Sequence, residues 1–223
     1  MKEFLYRSGR NLQREFLQVC RQPKHLLYVI LFFISVVIFF PLSIPPNASL
    51  LPEVAPALIW MALLLAMLRA AEGLLIQEYQ NGVIDQWLIG NHSLINILQA
   101  KLLVNWLMMV LPLIILCPVL LLFYHYDAYS LLLLVTAIIT GSPAVLSFCA
   151  LAASFGTGFK QRGLMMALIV FPLVIPILIL GSGLPSAVSA GQPPLALLAL
   201  LLACSISAVA FLPFAMAAII RIG

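Results

Sequence analysis

The sequence predicts an all-α integral membrane protein, with six transmembrane helices behind an N-terminal amphipathic interfacial helix. Composition is the first reason. Of 223 residues, 64% are hydrophobic and 8% are Asp, Glu, Lys or Arg. A soluble domain carries roughly 25% charged residues. Mean hydropathy is +1.17. Span arithmetic is the second reason: a crossing helix needs about 20 mostly apolar residues, and six with short connections nearly fill the chain. Charge placement is the third, because the net charge of +4 gathers on one side of a six-span arrangement. A soluble fold, a disordered chain and a nucleic-acid partner are excluded together.

Residues 2–24 read as the amphipathic helix. Arg7, Arg10, Arg14 and Arg21 recur on one side, and Leu5, Leu12, Phe16 and Val19 on another. That is the pattern of a helix lying in the interface; the plainer alternative is a solvated basic leader. The first long apolar run starts near Leu26 with no small-residue cleavage site after it, so a secretory signal is not expected.

The spans follow in order, within one transmembrane domain over 1–223. The first is 26–40, ended by Pro41, Pro45 and Pro46. The second is 56–76, with Arg69 and Glu72 in its last turns, spaced to pair or to anchor at the interface. The third is 97–123, interrupted by Pro112 and Pro118. The fourth is 129–155, where Gly141-Ser142-Pro143 invites a kink. The fifth is 164–181, with Pro172 and Pro176, and the sixth is 195–220, with Pro213. Backbone groups freed by these prolines need partners within the bundle, so the kinks are expected to face protein.

Topology follows from the basic residues. Lys2, Arg7, Arg10, Arg14, Arg21 and Lys24 precede the first span, and Arg69 and Lys101 flank the second connection. Lys160 and Arg162 lie between spans four and five, and Arg221 follows the sixth. The opposite connections, 41–55, 124–129 and 182–194, carry Glu53 and Asp127 as their only charges. Positive-inside logic puts both termini in the cytoplasm.

The most informative polar segment is 78–90. Asn81-Gly82 signals a turn. Val83, Ile84, Trp87 and Leu88 then form an apolar stripe beside Asp85 and Gln86. Two readings stand: an interfacial helix that reseals the bundle, or a cytoplasmic docking knob with an exposed aromatic anchor.

Chemistry is sparse. Gly156-Thr157-Gly158-Phe159-Lys160 lacks the spacing of a phosphate loop, so ATP, if used, binds another chain. There is no HExxH, G-x-S-x-G or clustered Cys/His set. Catalytic, metal and cofactor-binding residues are therefore expected to be none, and the chain alone is not expected to be an enzyme. Cys20, Cys117, Cys149 and Cys204 read as small helix residues. His125, with Asp127, is the histidine placed to meet something on the outer face; plain interfacial anchoring is the alternative.

A family resemblance then emerges. It is carried by Phe40-Pro41-Leu42-Ser43-Ile44, Ala55-Pro56 with Trp60, Gly82-Val83-Ile84-Asp85-Gln86-Trp87-Leu88, and Lys101 with Trp106. Gly141-Ser142-Pro143, Gly163-Leu164, Pro172-Leu173-Val174-Ile175-Pro176 and Pro213-Phe214-Ala215 continue it. In order, spacing and length the chain resembles the haem exporter protein B (CcmB) family, permease subunits of the ABC system of bacterial cytochrome c maturation.

The resemblance implies an arrangement like the ABC-2 type permeases in the bacterial inner membrane. It implies association with a second copy and with a cytoplasmic ABC ATPase (CcmA-like). A haem-handling membrane protein (CcmC-like), a small single-span protein (CcmD-like) and a periplasmic haem chaperone (CcmE-like) complete the expected set. ATP would sit on the ATPase and haem on partners, hydrolysis being linked to release of the loaded chaperone. Gly82 to Leu88 match the segment expected to be the coupling helix. Trp87 stands where members often have Leu, which bears on the contact with the ATPase. The chain has three tryptophans, Trp60, Trp87 and Trp106, and no tryptophan-rich haem motif. A mechanical role is thus expected over haem binding. A true permease for haem or another small molecule is the alternative, followed by a passive scaffold and, last, a membrane enzyme.

Overall fold

The computed structural model describes residues 12–17, 19, 23–43, 51–89, 94–124, 128–155 and 162–222. Among them the regular structure is entirely helical. Residues 12–17 form a helical segment. Seven helices follow: α1 Pro23–Ser43, α2 Leu51–Gln80, α3 Val83–Ile89, α4 Leu94–Tyr124, α5 Ala128–Phe155, α6 Arg162–Ser189 and α7 Pro194–Ile222. Five carry apolar stretches long enough to cross a bilayer: Pro52–Leu75, Leu94–Leu116, Ala128–Phe155, Gly163–Val188 and Pro194–Arg221. The chain is therefore an all-α, multi-pass membrane protein. Where the sequence predicted six spans, α1 contributes a shorter apolar stretch, Ile30–Phe40, among the described residues.

Helix α5 is the hub, packing on α7, α6, α2 and α4. Small residues make this possible. Ala137, Gly141, Ser142, Ala144, Ser147, Ala150 and Ala153 are buried along it, so neighbouring backbones approach closely. Helix α1 lies outside, against α2 and α4. The outer faces of α6 and α7 leave Leu168, Ile179, Ile206 and Phe211 exposed, as suits contact with lipid.

The centre is keyed by Trp60 of α2, 1% exposed. Its indole lies against Gly141 of α5 and Gly181 of α6, where no larger residue leaves it room. Two side-chain bonds from neighbouring helices reach α5 beside Pro143. Trp106 Nε1 donates to Ser142 Oγ at 2.8 Å, and Ser205 Oγ of α7 donates to the Thr140 carbonyl. That carbonyl adjoins the one that Pro143 deprives of its amide partner.

Three features of the helices bear on the expected spans. Pro172 and Pro176 lie on the exposed side of α6, away from the other described helices of this chain; a proline ring is apolar, and α6 runs through both unbroken. The fifth span does not stop at 181. Gly181 continues the helix because its missing side chain admits Trp60, and the turn comes at residues 190–191, where Gly191 takes φ +82°. The second apolar stretch closes at Leu75, close to the expected end at 76, and its helix runs on to Gln80, so the polar residues from Gln77 are helical.

Candidate functional site

Polar side chains gather at one end of the bundle, at the elbow between α2 and α4. The turn is built at Asn81-Gly82. Gly82 has φ +66°, a left-handed conformation that glycine adopts without steric penalty. Its N–H donates to the Tyr79 carbonyl at 3.2 Å, and its own carbonyl accepts from Gln86 N–H at 3.4 Å. Those bonds close α2 and start α3.

Helix α3 turns its apolar stripe inward. Ile84 and Trp87 are buried, the latter 5% exposed, and both join the main core. Val83 is half-buried, while Gln86 and, one turn before, Tyr79 are exposed. The expectation of Trp87 as an exposed anchor is thereby corrected: burying the indole against the bundle removes more apolar area from water than leaving it bare. The side chains of Asp85 and Leu88 lie outside the described ones.

Beneath the elbow lies a cluster of three buried charges. Lys101 Nζ of α4 stands 2.5 Å from Glu78 Oε1 of α2 and 3.2 Å from Glu15 Oε2 of the helical segment 12–17. The three side chains are 5–7% exposed. Buried charges persist only when paired, so this arrangement ties three elements together. From the sequence, Lys101 reads as a charge flanking a span and, with Trp106, as part of the family resemblance; Glu15 is not singled out. Both carried a signal. Glu15 interrupts the face of Leu12, Phe16 and Val19, and Lys101 sits about two turns inside an apolar helix, where a charge needs a partner. The Arg69–Glu72 pair forms as its spacing allowed, with Arg69 66% exposed.

Arg14 is exposed on segment 12–17. Arg7, Arg10, Arg21, His125 and Asp127 lie outside the described residues. Among the described residues no group of three or more His, Cys, Asp or Glu could hold a metal ion. Among the described residues, one shallow recess between helices is lined by Ile30, Phe33, Leu63, Ala66, Met109, Pro112, Leu113 and Leu116. Another is lined by Ile59, Val110, Leu113, Ile114, Val135, Ile138 and Ile139. Both are apolar, suited to packing against lipid or helix rather than to catalysis.

The fold and the elbow define a multi-pass membrane protein with three buried charges gathered at one end of an apolar bundle. The chain belongs to the CcmB protein family, which matches residues 9–223. It is similar to the heme exporter protein B of Pseudomonas aeruginosa, 35% identical over 95% of both chains. It is 32% identical to that of Haemophilus influenzae, over 95% of this chain and 96% of the other. For that of Escherichia coli K12 the identity is 34%, over 86% and 87%. The family read from the sequence motifs is thereby confirmed.

Proposed function

We propose that this chain is the membrane subunit of an ATP-driven complex in cytochrome c biogenesis. It couples hydrolysis by a partner ABC ATPase to release of a haem-loaded periplasmic chaperone. Membership of the CcmB family over residues 9–223 carries this reading. ATP is held by the ATPase, and haem by the haem-handling membrane protein and the chaperone. A second copy and a small single-span protein complete the assembly. The protein sits in the bacterial inner membrane with both termini cytoplasmic, as its basic residues indicate. Helix α1 supplies the sixth pass: its 21 residues extend about 31 Å at 1.5 Å per residue, close to a hydrocarbon core of about 30 Å. The bundle is of the ABC-2 permease type.

In this reading α3 is the coupling helix, and residues 82–88 have two sides. Ile84 and Trp87, both buried, fasten it to the bundle. Gln86, exposed, faces the ATPase with the exposed Tyr79 beside it. Closure of the ATPase dimer on ATP pushes α3, and the buried stripe passes that motion into α2. The bundle then changes shape and acts on partners at the outer face.

The test is affinity purification of the tagged protein in mild detergent, with mass spectrometry of its companions and a haem absorption spectrum. An ATPase and a haem-handling membrane protein should co-purify, and haem should vanish when the latter is removed. Haem retained by this chain alone would overturn the mechanical reading in favour of a true permease.

A further inference from the structure

The three charges under the elbow are held unequally. Lys101 Nζ is nearer to Glu78, at 2.5 Å, than to Glu15, at 3.2 Å, and Glu78 makes a further interaction as well. Glu78 and Lys101 belong to long helices fixed in the bundle. Glu15 arrives on the helical segment 12–17, where it is the one buried side chain among the described residues 12–17 and 19. Its neighbours Gln13, Arg14, Phe16 and Leu17 are exposed, and Leu12 and Val19 are only half-buried. At i, i+3 and i+7, Leu12, Glu15 and Val19 share the inner side. The most buried residue of that docking face is therefore a carboxylate, 4% exposed, where an aliphatic residue would serve permanent packing better.

A carboxylate can return to water in a way an aliphatic cannot. Two carboxylates sharing one ammonium also repel each other. If Glu15 leaves, Lys101 and Glu78 remain a matched pair; if Glu78 leaves, its neighbours lose the closer contact. The cluster is thus poised between two arrangements that differ at Glu15.

We propose that Lys101 and Glu78 form the fixed half of an ionic clasp that positions the elbow, and that Glu15 is its releasable arm. The arm holds segment 12–17 on the bundle in one nucleotide state of the partner ATPase and frees it in another. The clasp stands on the geometry, while its timing rests on the function proposed above. Lys101, Glu78 and Glu15 are positioning residues, acting through α3 and segment 12–17.

Hydrogen exchange read by mass spectrometry tests both parts. In the full chain alone, in nanodiscs, Glu15→Gln should speed exchange over 12–17 about tenfold and leave 78–89 unchanged. Lys101→Met should loosen both segments, and Lys101→Arg, which keeps the charge, should restore them. In the complex purified with its ATPase, wild-type exchange over 12–17 should differ between nucleotide-free protein and protein trapped with Mg-ATP. That difference should disappear in Glu15→Gln. Unchanged exchange over 12–17 in Glu15→Gln, or equal loosening of 78–89, overturns the clasp. Identical wild-type exchange in the two nucleotide states overturns the release. If the isolated chain behaves as expected but no ATPase co-purifies, the clasp stands, and its timing falls with the proposed function.

Discussion

Gly181→Ala is the sharpest test of the packing at the bundle centre. A methyl group there would overlap Cζ2 and Cε2 of Trp60 and stand 2.9 Å from Cη2. Non-bonded carbon atoms rest at about 3.5–4.0 Å. The indole has nowhere to go. It is 1% exposed, and its Cη2 edge already meets Gly141, where an added Cβ would stand 2.7 Å away. Relief must come from α6 moving off α2. Overpacking of this kind costs about 1–3 kcal/mol, and overlap with several ring atoms argues for the upper end. Alanine returns about 1 kcal/mol through helix propensity. The net expectation is a loss of about 2 kcal/mol. The assay is the unfolding midpoint of the purified protein in mild detergent, repeated in a Trp60→Phe background. Phenylalanine lacks the second ring, so the penalty there should fall below about 1 kcal/mol. A neutral Gly181→Ala, or equal losses in both backgrounds, would refute the keying of α2, α5 and α6 by Trp60.

Other expectations use the same preparation. Trp106→Phe removes the 2.8 Å bond to Ser142 and should lower stability by about 1 kcal/mol; Ser142→Ala added to it should change little more. Trp87→Ala empties a buried site and should lose about 3–5 kcal/mol of stability, visible in this chain without any ATPase. Gln86→Arg, at an exposed position, should leave the midpoint within about 0.5 kcal/mol. It should still weaken ATPase retention about tenfold, the equivalent of about 1.4 kcal/mol. Arg69→Ala breaks a pair whose arginine is 66% exposed, so its effect on the midpoint should stay below about 1 kcal/mol.

What the sequence could disclose depended on whether a property was local. Long apolar runs and the Asn81-Gly82 turn are written in neighbouring residues, and both reappear in the structure. The stripe of α3 was legible as a stripe, but its partner was not. Helical spacing shows that Ile84 and Trp87 share a side, and only tertiary packing decides that the side faces the bundle. The continuation of α6 past Gly181 was hidden likewise, because glycine reads as a break unless a distant Trp60 is known to fill its space. Glu15, Glu78 and Lys101 are far apart in the chain, and the local signals at Glu15 and Lys101 say that each needs a partner without saying which. Their meeting appears only once the helices are assembled.

In the proposed function, the elbow is where this chain meets the partner ATPase. A photocrosslinking amino acid placed at Gln86, and separately at Leu195 at the start of α7, tests it most directly. Both positions are exposed. In membranes containing the whole complex, the residue at 86 should form an adduct with the ATP-hydrolysing subunit, and the residue at 195 should not. Adducts with that subunit from 195, or none from 86 in a complex that co-purifies intact, would contradict the account.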